Sequence, residues 1–332
     1  MRQVGRGPRS WGRFLLGSLL VSLATNALAQ AERFPARPLR MIVPAAAAGP
    51  TDFLARTVAD HLAKAFNQPV VVENMVGAGG NVGLQAAART AADGYALVIA
   101  SQSMMAMGPF LFSGLSFDHE KDFTPVGLVA APPYVLVVNA ALPVSNLNEL
   151  LAWIRARPNK VNFASTGGIG STSHVVGELF RRTAKLDIVH VPYKGDAQAA
   201  ADLMGGQVQM MFSLSASVTP HIRSGKVKPI AIGALRRSAA LPEVATFNES
   251  GMPGFTAASW FAIWTRAGAP AAVVERINEE INRMLAQLES RARLQSVGAE
   301  PAGGSVAEVQ AFVRNERAKW GQVIREANIK LE

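Results

Sequence analysis

Ala164-Ser165-Thr166-Gly167-Gly168-Ile169-Gly170-Ser171-Thr172-Ser173-His174 and His190-Val191-Pro192-Tyr193-Lys194-Gly195-Asp196 are two glycine- and hydroxyl-rich loops. Each follows a short apolar stretch with strand character and opens a helical pattern. Loops of this kind at strand ends place backbone N–H groups and hydroxyls around a small polar ligand, often an anion. No metal-ligand cluster and no convincing nucleophile accompanies either loop. The pair therefore points to holding a molecule, not transforming it.

Outward from these loops, strand and helix signals alternate along most of the chain. Strands are expected at Leu39–Val43, Val70–Val72, Tyr95–Ala100, Val161–Ala164, Ile188–Val191, Val208–Phe212 and Pro229–Gly233. Amphipathic helices are expected between them, at Thr51–Phe66, near Asn81–Thr90, at Asn146–Arg157, Thr172–Ala184, Asp196–Met204 and Ser217–Ser224. This alternation predicts an α/β fold of doubly wound parallel sheets. Pro270–Leu288 and Ser305–Ala327 form a helical C-terminal part, with Pro270 at a first-turn position and Gly303-Gly304 ahead of the last helix. Two apolar stretches fit no ordinary crossover: Val126–Asn139, broken by Pro132-Pro133, and Ser259–Thr265 after the turn-rich Pro253-Gly254. Both are expected to be connectors at a hinge. They divide the chain into one lobe of residues 30–133 plus 259–332 and a second of residues 134–258, with a cleft between them suited to closure on a ligand.

The first 29 residues have the pattern of a signal peptide: Arg2, Arg6, Arg9 and Arg13, an apolar run from Phe14 to about Leu23, then Ala27-Leu28-Ala29 as a cleavage site. The apolar run is short against the ~20 residues of a membrane span. A mature start near Gln30 and a periplasmic location follow as expectations. The chain has no cysteine, hence no lipoprotein attachment point, and its size allows a core that needs no disulfide. Removing the four leader arginines lowers the formal charge from +9 to +5. The excess is scattered over helix faces such as Arg181-Arg182 and Arg236-Arg237 without interleaved aromatics, which argues against nucleic acid and suits mild attraction for anionic solutes.

Five segments sit where parallel α/β sheets bind ligands, beyond the carboxyl ends of strands: Pro44–Asp52, Ser101–Ser103, Ser165–Thr172, Pro192–Asp196 and Ser213–Ser215. The candidate ligand-binding residues are Ala45, Ala46, Ala47, Asp52, Ser101, Ser103, Ser165, Thr166, Gly170, Ser171, Thr172, His174, Tyr193, Lys194, Gly195 and Ser213. For Asp52, a ligand contact and a favourable first-turn acid are equal readings. His174 also suits a capping or loop-bracing role, and Lys194 either neutralises an anion or lies on the surface. Gly77-Ala78-Gly79-Gly80-Asn81-Val82-Gly83 has Val82 where a dinucleotide fingerprint needs its third glycine. The five histidines lack metal-ligand spacing, and Ser171 lacks the elbow of a serine hydrolase. No catalytic residue, metal or cofactor is expected; a hydrolase using Ser171 and His174 is the contrasting reading.

Several motifs, in order, resemble the substrate-binding proteins of tripartite tricarboxylate transporters, the Bug family. They are Phe34–Pro44, Val70–Asn74 with Gly77–Gly80, Asp93-Gly94-Tyr95, Lys121–Pro125, Ser165–His174, His190–Gly195, Gly206-Gln207-Val208, Pro220-His221-Ile222, Leu241–Val244 and Gly251–Phe255. The resemblance implies a type II-like, two-lobed periplasmic binding protein. It would capture a small carboxylate largely through backbone N–H groups and water. As a monomer it would deliver that ligand to a large and a small integral membrane subunit, or, alternatively, inform a membrane sensor kinase. One departure stands out. The family's first loop is usually Pro-Phe-x-Pro-Gly-Gly, whereas this chain has Pro44-Ala45-Ala46-Ala47-Ala48-Gly49. Losing the ring removes pocket wall, and alanine disfavours a positive φ at position 48, so a wider pocket or an altered loop is expected. In the second lobe Gln209 replaces an aspartate and Ser213 stands at a nearby acidic position, which makes an amino-acid ligand less attractive.

Overall fold

A computed structural model describes residues 34–331. The expected signal peptide and its cleavage site lie outside the described residues. Leu39–Val43 (β1) is buried at all positions but Arg40, the pattern of a strand covered on both faces. Then come α1 (Pro50–Phe66), β2 (Val70–Asn74), α2 (Asn81–Ala88), β3 (Ala96–Ser101), a π-helical turn (Ser103–Met107) leading into α3 (Gly108–Leu111), and β4 (Phe123–Ala130). The chain next builds β5 (Tyr134–Asn139), α4 (Leu147–Arg155), β6 (Asn162–Thr166), α5 (Thr172–Thr183), β7 (Val189–Tyr193), α6 (Asp196–Met204), β8 (Met210–Leu214), α7 (Ser215–Arg223) and β9 (Val227–Ile232). It closes with β10 (Phe261–Arg266), α8 (Ala271–Ala286), α9 (Leu288–Ser296) and α10 (Val306–Glu326).

The strands form two five-stranded sheets, in the orders β2-β1-β3-β10-β4 and β7-β6-β8-β5-β9. In the first, β1 runs parallel to β2 and β3, with Met41 opposite Val72 and Leu97. In the second, β6 runs parallel to β7 and β8, with Ala164 opposite Val191 and Met211. The expectation of wholly parallel sheets is corrected at one strand in each. β10 is antiparallel to β3 and β4, and β5 is antiparallel to β8 and β9. The cause is the crossing itself: each of these strands enters its sheet from the side facing the other sheet, where its neighbours end. The apolar stretch Val126–Asn139 accordingly splits at Pro132-Pro133 into strands of different sheets.

The two crossing segments are bonded to one another. Tyr134 N–H donates to the Ala257 carbonyl at 2.8 Å and Ser259 N–H to the Pro132 carbonyl at 2.9 Å. Prolines suit this position, because each offers a carbonyl and has no N–H to satisfy.

Local signals fix the helix ends. Pro50 opens α1, and Asn67 closes it at φ 51°. A capping box joins Ser305 and Glu308 at the start of α10. Apolar residues then divide by face. Met41 and Val43 pack under α1 and α8, while Met211 and Val218 lie with α6 and α7. A third cluster is continuous across both sheets, from Ile42 and Met107 to Phe163, Phe180 and Trp320 of α10. Gly177 lets α5 lie directly on β6: a Cβ there would stand 2.1 Å from the Phe163 ring. Among the described residues no helix is long and apolar enough to cross a membrane.

Candidate functional site

The carboxyl ends of β1, β3, β6 and β7 point toward the crossing segments, so their loops face each other across a cleft. After β1 the chain turns through Ala45–Gly49. Asp52, 3% exposed, organises this turn from below. Its carboxylate accepts from Arg56 Nε, Asn74 Nδ2 and the Ala48 N–H, each at 2.9 Å. The Arg56 bond above all, assisted by Asn74 and Ala48 against the cost of burial, holds the carboxyl down to about 2. Asn74 also donates to the Ala45 carbonyl at 3.0 Å. Of the two readings of Asp52, the geometry therefore gives the structural one: both oxygens serve the loop. Ala48 is pinned at φ 62°. Ala46 and Ala47 are exposed, and among the described residues no backbone acceptor takes their N–H groups.

At the end of β3, the Ser101 and Ser103 hydroxyls are 2.9 Å apart. Ser101 is buried and Ser103 half-buried.

The opening loops divide between cleft and support. Gly167, Gly168 and Gly170 all have positive φ, between 78° and 88°. That tight path exposes Gly167 and Ile169 while Thr166 and Ser171 remain half-buried. Ser171 caps α5, accepting from the His174 N–H at 3.3 Å and donating to the Gly168 carbonyl at 2.7 Å. The His174 ring accepts from the Gly170 N–H at 3.1 Å through Nδ1, and it stacks on His190 with centroids 3.8 Å apart. His190 Nε2 meets the Ser165 hydroxyl at 2.7 Å. Ser165 is fully buried, so Ser165, His174 and His190 form a platform beneath the loop. Burial holds both imidazoles down to about 4, and for His190 the neighbouring His174 adds to it. The bracing reading of His174 stands. Ser171 and the His174 ring do not meet, so the hydrolase reading lacks its dyad.

Thr172 occupies a junction between the lobes, donating to Met107 Sδ at 3.8 Å and bonding with the buried Tyr134 hydroxyl. The Tyr193 hydroxyl turns away to Asp202 at 2.7 Å, and burial with this bond pushes its pKa up to about 12. Ser213 is corrected as well. It shares the sheet face of Met211 and lines a cavity of about 230 Å3 between α6 and α7, whereas Ser165 shares the opposite face with Phe163. Lys194 and Gly195 are exposed at the start of α6.

The exposed or half-buried positions of these loops are thus Ala45–Ala47, Ser103, Thr166, Ser171, Lys194 and Gly195, with the starts of α1, α5 and α6 behind them. Gly170 is corrected, being buried against Leu331 with its N–H given to His174. The caps at Gly49 and Gly195 use no side chain, which leaves first-turn N–H groups of α1 and α6 open. Sequence reasoning missed the apolar rim: Val76, Val82 and Ile169 are 63%, 46% and 54% exposed. It also missed Met107. Val82 and Ile169 had been visible only as interruptions of glycine runs.

Two α/β lobes on a pair of crossing strands, with helix N-termini at the facing strand ends, define the class of two-lobed solute-binding proteins. The chain belongs to the tripartite tricarboxylate transporter family of receptors, whose profile matches residues 54–329. It is 36% identical over 319 residues to protein BugT of Bordetella pertussis, covering 96% of this chain and 98% of that one. Among solved structures it is similar to Rpa4515 of R. palustris with adipate, at 32% identity and a TM-score of 0.74 over 90% of this chain and all of that one. It is also similar to MatC from Rhodopseudomonas palustris with bound malate, at 33% identity and a TM-score of 0.69 over 88% of this chain and all of that one. The Bug-family resemblance and the two-lobed α/β fold are both borne out.

Proposed function

We propose that this protein is a periplasmic receptor for a small organic acid, held between a lobe of residues 30–133 plus 259–332 and a lobe of residues 134–258. Closure of the lobes retains the acid, which passes as cargo to the large and small membrane subunits of a tripartite carrier. The single observation that carries this reading is the convergence of the open N-termini of α1 and α6 and the capped start of α5 at the facing strand ends. Each such terminus favours an anion by roughly 0.3–1 kcal/mol, more when water is excluded. Lys194 is the one cation in these loops. The relatives solved with adipate and with malate support a carboxylate as the ligand.

The rim narrows the class of acid. Ala45–Ala48, Val76, Val82 and Ile169 supply apolar surface. Of the polar side chains beside them, Ser103 bonds Ser101, Ser171 bonds the Gly168 carbonyl and Asp196 accepts from Ser217, which leaves Thr166 to answer a hydroxyl on the ligand's body. An acid with an apolar or aromatic body fits better than a short hydroxylated one. Thermal-shift titration of the mature protein with benzoate, adipate, succinate and malate tests both steps. A ligand at 100 times its Kd raises stability by about 2.7 kcal/mol. Benzoate or adipate should shift the melting temperature more than malate. If succinate and malate prove the tighter ligands, the wider apolar pocket is wrong; if no carboxylate shifts it, the receptor reading fails.

A further inference from the structure

The cleft described above lies on the β1, β3, β6 and β7 side of the crossing strands. On the other side, where β4 and β9 form the sheet edges, a separate cavity of about 1060 Å3 opens between the lobes. The two crossing segments contribute Ala131, Thr256 and Trp260 to its wall. The second sheet's lobe adds the loop after β9 and one face of α7; the first sheet's lobe adds the end of α9 and one face of α10.

Its charge is one-sided. Arg223, Arg236, Arg237, Arg291 and Lys319 line it against Glu300 and Glu316. Glu316 is already engaged, accepting from Trp260 Nε1 at 3.0 Å, Trp320 Nε1 at 2.7 Å and Gln102 Nε2 at 3.1 Å, with Lys319 at 3.8 Å. Arg237 pairs with Glu249 at 3.0 Å, and Arg223 reaches the Ala240 carbonyl at 3.4 Å. Arg236 and Arg291 have no ion pair and no side-chain hydrogen bond among the described residues. One belongs to the loop after β9, the other to α9, so the two unpaired guanidiniums reach the same cavity from different lobes. Lys319, over the Trp320 ring and bonded to the Thr256 carbonyl at 2.8 Å, adds a partly buried ammonium to the floor.

We propose that this cavity is a second ligand site, for a compact anion with at least two oxyanion groups, bridged between Arg236 and Arg291. Guanidinium is suited to paired oxygens of carboxylate or phosphate, and two of them without an ion-pair partner among the described residues form a cradle for a di- or trianion. The volume is at the upper end of small-molecule sites, and both lobes contribute to the wall of this half-open cavity, which suits a small solute. Because the wall is shared between lobes, an occupant holds the β4 and β9 edges at one separation. Any change in the lobe angle then changes its affinity, and the coupling is reciprocal.

Calorimetric titration of the mature full chain with citrate and, separately, with inorganic pyrophosphate tests this and distinguishes polycarboxylate from phosphate ligands. At least one probe should bind with one-to-one stoichiometry. The Arg236→Glu, Arg291→Glu double variant, with circular dichroism unchanged, should bind it at least roughly tenfold more weakly. Ala47→Trp, on the other flank, should leave one saturable site for the probe, whatever it does to the affinity through the lobe angle. The proposal is overturned if neither probe saturates, if binding survives the charge reversal, or if Ala47→Trp is the variant that removes it. Tighter binding of hexaglutamate than of either probe, with the same dependence on the two arginines, would overturn the small-anion assignment in favour of an acidic segment.

Discussion

Ala48 holds a left-handed backbone that glycine adopts freely, and it does so because Asp52 accepts its N–H from the first turn of α1. For an L-residue this conformation costs about 1–2 kcal/mol. Replacing alanine by glycine also frees the unfolded chain, which costs about 0.4–1 kcal/mol. The first effect is larger, so Ala48→Gly should stabilise the protein by roughly 0.5–1 kcal/mol in urea denaturation. A destabilised variant would mean that the strain is relieved elsewhere. Asp52→Asn should act the other way, by at least about 1–3 kcal/mol, because it leaves Arg56 without its carboxylate and sets an amide against the Ala48 N–H. The stacked pair His174 and His190 sets a pH dependence. Their folded values near 4 lie below the ~6.5 of an unfolded histidine, so the unfolded chain takes up protons first as pH falls. Their contribution is complete above pH ~6.5 and is lost progressively down to about pH 4. Melting temperatures measured across that window should fall, and less steeply in a His190→Gln variant.

At the scale of elements, the opening loops work because α5 lies close to β6. Gly177→Ala would drive a methyl group to 2.1 Å from the Phe163 ring, which is the backing of the Ser165 platform. Overpacking of this kind costs about 1–3 kcal/mol. A drop of that size in stability, with weaker ligand binding, is expected; an unchanged denaturation midpoint would show that the helix shifts freely. How much of this was legible depends on the range of the signal. β1 and α6 occupy the residues their local patterns specify, Leu39–Val43 and Asp196–Met204. The helical turns from Ser103 to Leu111 were not foreseen, since Gly108-Pro109 breaks the periodicity. Nor was the reversed direction of β5 and β10, because apolar patterning carries no information on strand sense. The site follows the same rule. Glycines with positive φ and the Ser171 cap are local and were readable. Arg56, four residues on, is a local partner of Asp52, but Asn74 lies 22 residues away, and the partners of Ser165 and Tyr193 lie 25 and 9 residues away, where no local pattern signals that the polar atoms are engaged.

At the scale of the whole molecule, the lobes are joined by more than their two crossings. The apolar cluster that includes Met107 and Phe163 continues under α10, and Arg182 of α5 meets Glu326 of α10 at 2.7 Å. With these contacts kept, the proposed closure would be limited to bending about the crossing strands. Those strands form a narrow ribbon: beyond the two bonds between them, Gly233 N–H donates to the Tyr134 carbonyl at 2.8 Å and Ala257 N–H to the Gly233 carbonyl at 2.9 Å. Hydrogen–deuterium exchange puts this to a test. The amides of Tyr134, Ala257 and Ser259 should exchange as slowly as those of the central strands, with or without ligand, while the amides of residues 167–169 should slow on binding. Faster exchange at Tyr134 in the ligand-free protein would mean that the ribbon comes apart when the lobes move. A pivot bonded in this way would work like a bearing, turning under the proposed closure with each of its hydrogen bonds kept.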